Sequence, residues 1–178
     1  MKVNAFDERL EHRHILPYDP AYARVFAQVQ RYVHENLESV ELVHIGSTAI
    51  HGLRGKPMVD IAAITGEQNL RATQTEFERL GFHRRAVWVD RDEKPYVCGC
   101  VQHNGRNYNI NIHICHHGDP VHKDSLAFMD ILQRRPDLRR RYEEAKDRAH
   151  MIDPVNPEVY NREKEAVIKE IHAQIGLS

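Results

Sequence analysis

Between positions 44 and 60 the chain reads HIGSTAIHGLRGKPMVD, which puts small residues, hydroxyls, bases and a carboxylate into one short stretch. A small residue such as Gly46 lets backbone amides approach phosphate oxygens, and the Ser47 and Thr48 hydroxyls add donors. Asp60 is the kind of carboxylate that holds Mg²⁺. The same spacing also suits a tight surface turn whose serine and threonine satisfy their own backbone. Asp60 bears on the choice, because it interrupts the apolar run PMVDIAAI at 57–64. A buried charge without a partner is costly or changes its protonation. Lys56 and Arg54 could pair with it structurally, and a metal or a substrate cation would pair with it functionally. Lys56 could equally serve as a point charge for phosphate.

The segments around this stretch are those that would position it. ELVHI at 41–45 alternates and stops at Gly46, and 57–64 is mostly apolar, so both are predicted as strands. The link between them is too short for a crossover helix and long enough for a turn with a helical half-turn. Upstream, PYDP at 17–20 is punctuation, and 21–37 carries apolar residues at helical spacing. Residues 67–80 form a second predicted helix that Gly81 stops. Three β-like stretches follow at 82–90, 95–103 and 107–116, with Asn104-Gly105 as a hairpin signal. Three helices then run over 125–135, 136–150 and 156–175, divided by Pro136, Pro154 and Pro157. This order suits an α/β (α+β) chain with a mixed, mainly antiparallel sheet, flanking helices and a C-terminal helical group. A single domain over 1–178 is the simplest division.

The run HIGSTAIHGLRGKPMVDI resembles the signature of the GrpB family, within the nucleotidyltransferase superfamily. PYDP, Phe26, the strand NINIHI at 109–114, the helix around Phe128 to Arg135, and Tyr160 followed by Lys164 resemble further elements in the same order. The resemblance covers residues 15 to about 172 and implies a nucleotidyltransferase-like fold. It implies a phosphate grip at Gly46 and Ser47, a first metal-binding carboxylate at Asp60, and Mg²⁺ or Mn²⁺ as cofactor. It implies transfer of a nucleotidyl group from a nucleoside triphosphate, or handling of another phosphorylated small molecule. The second strand carboxylate of the superfamily is replaced by Ala62, which the period of two places on the face of Asp60. The later strand presents Asn109, Asn111 and His113 in place of an acid. His113 matches a family histidine and Asn111 departs from one, Val43 precedes His44 where many members carry Glu, and His51 replaces a proline. Three expectations therefore stand together. They are metal-dependent nucleotidyl transfer, a catalytically degenerate nucleotide- or partner-binding module, and single-metal hydrolysis or phosphotransfer at Asp60 and His113. Whether the protein is an enzyme stays open, and Glu41, Asp90 and Asp92 are the other acids that could enter the site.

Composition restrains these expectations. The chain has 178 residues, 25 Lys+Arg against 26 Asp+Glu, and 13 His, so no global field pulls it toward nucleic acid or an anionic membrane. The arginines at 134, 135, 139, 140 and 141 are followed by Glu143, Glu144 and Asp147, as a solvated helix face would be. Trp88, Tyr96 and Tyr108 could stack a base, although core packing accounts for them equally simply. Cys98, Cys100 and Cys115 lack the Cys-x-x-Cys spacing of structural zinc sites, which argues against zinc. An odd set of three cysteines and the absence of a long apolar run point to a bacterial-type cytoplasmic protein without signal peptide or membrane span.

Overall fold

The computed structural model describes residues 1–11, 15–66, 69–85, 94–153 and 157–174, with the side chains of 11 and 157–160 excepted. The elements are α1 (Glu8–Glu11), α2 (Ala21–His34), β1 (Val40–Ile45), a 3₁₀ turn (Ser47–Ala49), β2 (Met58–Thr65), α3 (Leu70–Arg79), β3 (Tyr96–His103), β4 (Arg106–His116), α4 (Pro120–Arg134), α5 (Pro136–Ile152) and α6 (Pro157–Gln174). The four strands form one sheet in the order β1-β2-β4-β3. The central β2–β4 pair is parallel, and both outer pairs are antiparallel.

The two faces of the sheet differ in chemistry because side chains alternate along a strand. One face carries Val59, Ile61 and Ala63 of β2 beside Ile110, Ile112 and Ile114 of β4. It is sealed by Tyr22, Val25, Val29 and Val33 of α2 and by Phe77 of α3, all buried. The opposite face carries Asp60, Ala62 and Ile64 beside Asn111, His113 and Cys115, and lies under α4 and its partners α5 and α6. The apolar character of β2 thus reflects burial on both sides, broken on one side by Asp60.

Local signals account for the element ends. The Asn69 side chain accepts a hydrogen bond from the Arg71 amide at 2.8 Å and caps α3. Asn104 and Gly105 both take positive φ, 48° and 76°, in the β3–β4 hairpin that this dipeptide favours. The structure departs from the sequence expectation at several ends. Helix α4 begins at Pro120 rather than near Ser125, with proline in its first turn and Asp119 accepting from the His116 amide at 2.7 Å just before it. Short helix α1 was not anticipated. Of the expected strand at 82–90, His83 makes an isolated bridge to Cys98, and residues 86–90 lie outside those described. Among the described residues no helix is long and apolar enough to cross a membrane.

Candidate functional site

The site forms where β1 ends and the chain must turn back into β2. Gly46 has φ of +74°, and a Cβ there would stand 2.8 Å from an Asp60 carboxylate oxygen. Glycine is therefore required twice over, for the backbone and for the close approach of the carboxylate. The turn closes with hydrogen bonds from the Ala49 amide to the Gly46 carbonyl and from the Ile50 amide to the Ser47 carbonyl, at 3.2 and 3.3 Å. Gly55 packs so tightly on Ser47 that a Cβ would lie 2.5 Å from the serine hydroxyl oxygen.

Thr48 is buried, and its hydroxyl donates to the Met58 carbonyl at 3.0 Å. Since that uses the hydroxyl proton, the contact from His44 at 3.0 Å is made by a donating Nε2–H. His44 faces the α2 side, where it stacks on Phe26 with ring centroids 5.1 Å apart. Burial pulls its pKa down to about 4, so it stays neutral. Neither residue lines the cavity, so Thr48 takes the backbone role that the sequence also allowed rather than the phosphate one, and His44 is not a site residue. Both fasten the turn from behind.

The cavity itself, about 400 Å³, lies between the sheet and the C-terminal helices. Its floor is Asp60 on β2 with Asn111 directly opposite on β4, whose amide donates to the carboxylate at 3.4 Å. His113 lies one same-face position farther along, opposite Ala62. Burial pushes the Asp60 carboxyl upward, against the opposing pull of His113, Asn111 and Lys164. Burial likewise lowers His113, with Asp60 opposing. Gly46, Ser47 and Lys56 enter from the turn, Tyr142 from α5, and Lys164 from α6. Lys164 is brought down to about 8 by burial, with Asp60 acting against the shift and Lys56 with it. Lys56 therefore stands close enough to Lys164 to be felt by it.

Helix α5 is tied to the turn by a polar clasp. The Arg54 amide donates to Glu143 at 2.9 Å, and its guanidinium pairs with Asp147. Lys146, fully buried, donates to the Arg54 carbonyl and lies 4.7 Å from the centre of the Tyr142 ring. Burial lowers its ammonium to about 7. Arg54 thus partners α5 rather than Asp60.

Of the residues singled out in the sequence, Gly46, Ser47, Lys56, Asp60, Asn111, His113 and Lys164 line this one cavity. Tyr160 belongs to α6, but its side chain lies outside those described. Glu41 is exposed and pairs with Ile64, four residues up the strand from the Ile45–Asp60 pair and so roughly 13 Å away. Asp90, Asp92 and Trp88 fall outside the described residues. Tyr96 and Tyr108 are buried in separate apolar clusters. The arginines of 134–141 include ion pairs to Asp130, Asp137 and Glu170, in keeping with a solvated face.

Four polar contributors to the cavity were missed: Arg85, Ser125, Tyr142 and Asn161. Arg85 reaches it from the segment after α3, lies 4.3 Å over the Phe6 ring and pairs with Glu8 at 2.8 Å. No local motif marks any of the four.

A metal would need more donors than the cavity offers. Asp60 is the sole carboxylate among the described lining residues, and Ala62 holds the position where a second would stand. Among the described residues no three His, Cys, Asp or Glu side chains gather to hold an ion. The three cysteines are buried, with Cys98 beside His83 and Cys115 among Ile45, Ala62 and Ile64. The lysines bordering Asp60 would moreover repel a cation. The residues present do not fit a two-metal centre.

The family model for GrpB protein matches residues 13–174. A UPF0157 protein of Pseudomonas aeruginosa is 30% identical over 173 residues, covering 94% of this chain and 68% of the relative. A UPF0157 protein of Streptomyces coelicolor is 31% identical over 161 residues, covering 89% of this chain and 82% of that one. The crystal structure of conserved protein GrpB from Enterococcus faecalis superposes with a TM-score of 0.71 at 24% identity, over 90% of this chain and 95% of that one. The Cid1 poly(U) polymerase in its MgGTP-bound structure superposes with a TM-score of 0.50 at 12% identity, over 80% of this chain and 42% of the polymerase. The chain belongs to the GrpB family, and its fold is nucleotidyltransferase-like.

Proposed function

We propose that this protein binds the phosphates of a nucleoside triphosphate or a similar phosphorylated small molecule through cationic side chains instead of divalent metal, as a binding module on a transferase fold. The observation that carries the reading is the make-up of the cavity: Lys56, Lys164 and the Gly46–Ser47 turn surround a lone carboxylate. Arg85, although ion-paired with Glu8, adds a further guanidinium. Phosphate oxygens are stabilised by ammonium groups and by amides presented from a glycine turn.

Metal-dependent transfer would need the carboxylate that Ala62 lacks, and single-metal chemistry at Asp60 and His113 would set a cation beside Lys164. The two classes of reading predict opposite effects of Asp60→Asn. A metal ligand replaced by an amide loses nucleotide binding, whereas an amide in an anion site removes repulsion. Calorimetric titration of the four nucleoside triphosphates in EDTA is expected to show binding that Asp60→Asn keeps or tightens by about two- to fivefold. Lys164→Met is expected to weaken it about tenfold or more. Binding that requires Mg²⁺ or Mn²⁺, is lost in Asp60→Asn, and is accompanied by release of pyrophosphate would overturn the proposal in favour of transfer.

A further inference from the structure

The lysine-lined cavity is not closed off by the helices. A second hollow of about 340 Å³ adjoins it, and the two share Gly46, Ser125 and Tyr142 as walls. Each is at the small end of the volume range of small-molecule sites, roughly 300–1,000 Å³. Their chemistry differs sharply. The second hollow is walled by Val121, Phe128, Met129 and Ile168, and no lysine or arginine is among its described lining residues. The Phe128 ring meets Tyr142 edge to face at 5.2 Å and His172 at 5.9 Å, with interplanar angles of 80° and 89°. An aromatic wall therefore runs from the shared Tyr142 to His172. Asp124 and His172 are further polar groups of this hollow, beside the shared Ser125.

An inorganic anion would occupy the lysine end alone. The two hollows together match a ligand with an anionic end and a planar, weakly polar end. Flat aromatic and apolar walls suit a heterocycle. The Asp124 carboxylate can accept from a ring N–H or an exocyclic amine, and the Ser125 hydroxyl and His172 ring can each donate or accept. An acyl chain would use none of these and would leave them desolvated without partners. We propose that the second hollow holds the base of a nucleoside phosphate whose phosphates lie in the lysine-lined cavity. This rests on the phosphate reading above and extends it to a substrate class.

The test compares inorganic tripolyphosphate, the four nucleoside triphosphates and the corresponding free nucleosides by calorimetry in EDTA. The proteins are wild type, Val121→Trp, which fills the hollow, and Phe128→Leu, which removes the ring and keeps an apolar side chain. Both positions line the second hollow and not the first. At least one nucleoside triphosphate is expected to bind roughly tenfold more tightly than tripolyphosphate. Either variant should erase most of that margin while leaving tripolyphosphate within about twofold of wild type, since neither Val121 nor Phe128 lines the lysine-lined cavity. Triphosphates that bind wild type no better than tripolyphosphate, or a margin that survives both variants, would overturn the base site and leave the phosphate site standing. Binding of free nucleosides that both variants abolish, with no binding of tripolyphosphate, would overturn the phosphate reading and keep the hollow as a base site. No binding by any probe would overturn both.

Discussion

The sheet wall of the cavity and its helical wall are held in place by different means. Gly46, Asp60, Asn111 and His113 sit on or next to hydrogen-bonded strands, with the turn pinned by Thr48 and His44. Tyr142 and Lys164 project from helices whose own cluster includes Leu132, Leu138, Ala145, Val167 and Ile171. A polar clasp among Arg54, Glu143, Lys146 and Asp147 helps join the helices to the turn. The sheet wall is thus fixed by backbone geometry and the helical wall by packing and buried polar groups. Substitutions in the turn should reach the ligand directly, and substitutions in the clasp should act through stability.

The largest expected effect lies in the clasp. Lys146 has a folded-state pKa near 7 against an ordinary value of 10.5, so between those values the unfolded chain holds more protons than the folded one. Stability therefore rises as pH rises across that window, and the cost of the buried charge is felt in full below it. Chemical denaturation of wild type and Lys146→Met at pH 7 and pH 10 should show their difference moving in favour of wild type by roughly 2–4 kcal/mol. A difference that does not change with pH would mean that Lys146 does not titrate in the folded clasp.

Next is Gly46→Ala, which forces an L-residue into positive φ and a methyl group against Asp60. It is expected to cost about 2 kcal/mol of stability and to abolish measurable nucleotide binding. A variant that binds normally would show that the turn does not touch ligand. The smallest effect belongs to His44, neutral in the fold with its pKa near 4 against 6.5 when unfolded. Its contribution is present above pH 6.5 and lost as pH falls toward 4. His44→Gln, which keeps a donor for Thr48, should flatten the stability curve by about 1 kcal/mol over the first pH unit below 6.5.

The contrast between the walls also explains what could be read from the residues alone. The turn, both strands that flank it and the isolated carboxylate are consecutive in the chain, so glycine spacing and one charge in an apolar run located the sheet wall. The parallel pairing that sets Asn111 opposite Asp60 joins residues 51 positions apart. Alternation in NINIHI placed its face, and family resemblance linked the two strands. The direction of the Thr48 hydroxyl stayed open between ligand and backbone, since a threonine beside a glycine turn can face either with identical local sequence, and the fold selects the backbone. The helical wall was nearly illegible. Tyr142 sits in an ion-pair-rich helix where no periodicity distinguishes it, and Lys164 emerged through resemblance alone. Arg85 depends on Phe6 and Glu8, which the fold brings from the other end of the chain.

The central claim is that ammonium groups, and not metal, neutralise the bound phosphates. Its most direct measurement is the affinity of wild-type protein for inorganic tripolyphosphate in EDTA and again in excess Mg²⁺. The account predicts binding in EDTA that Mg²⁺ weakens, because the cation competes with Lys56 and Lys164 for the phosphate oxygens. Binding seen only with Mg²⁺ present would contradict it.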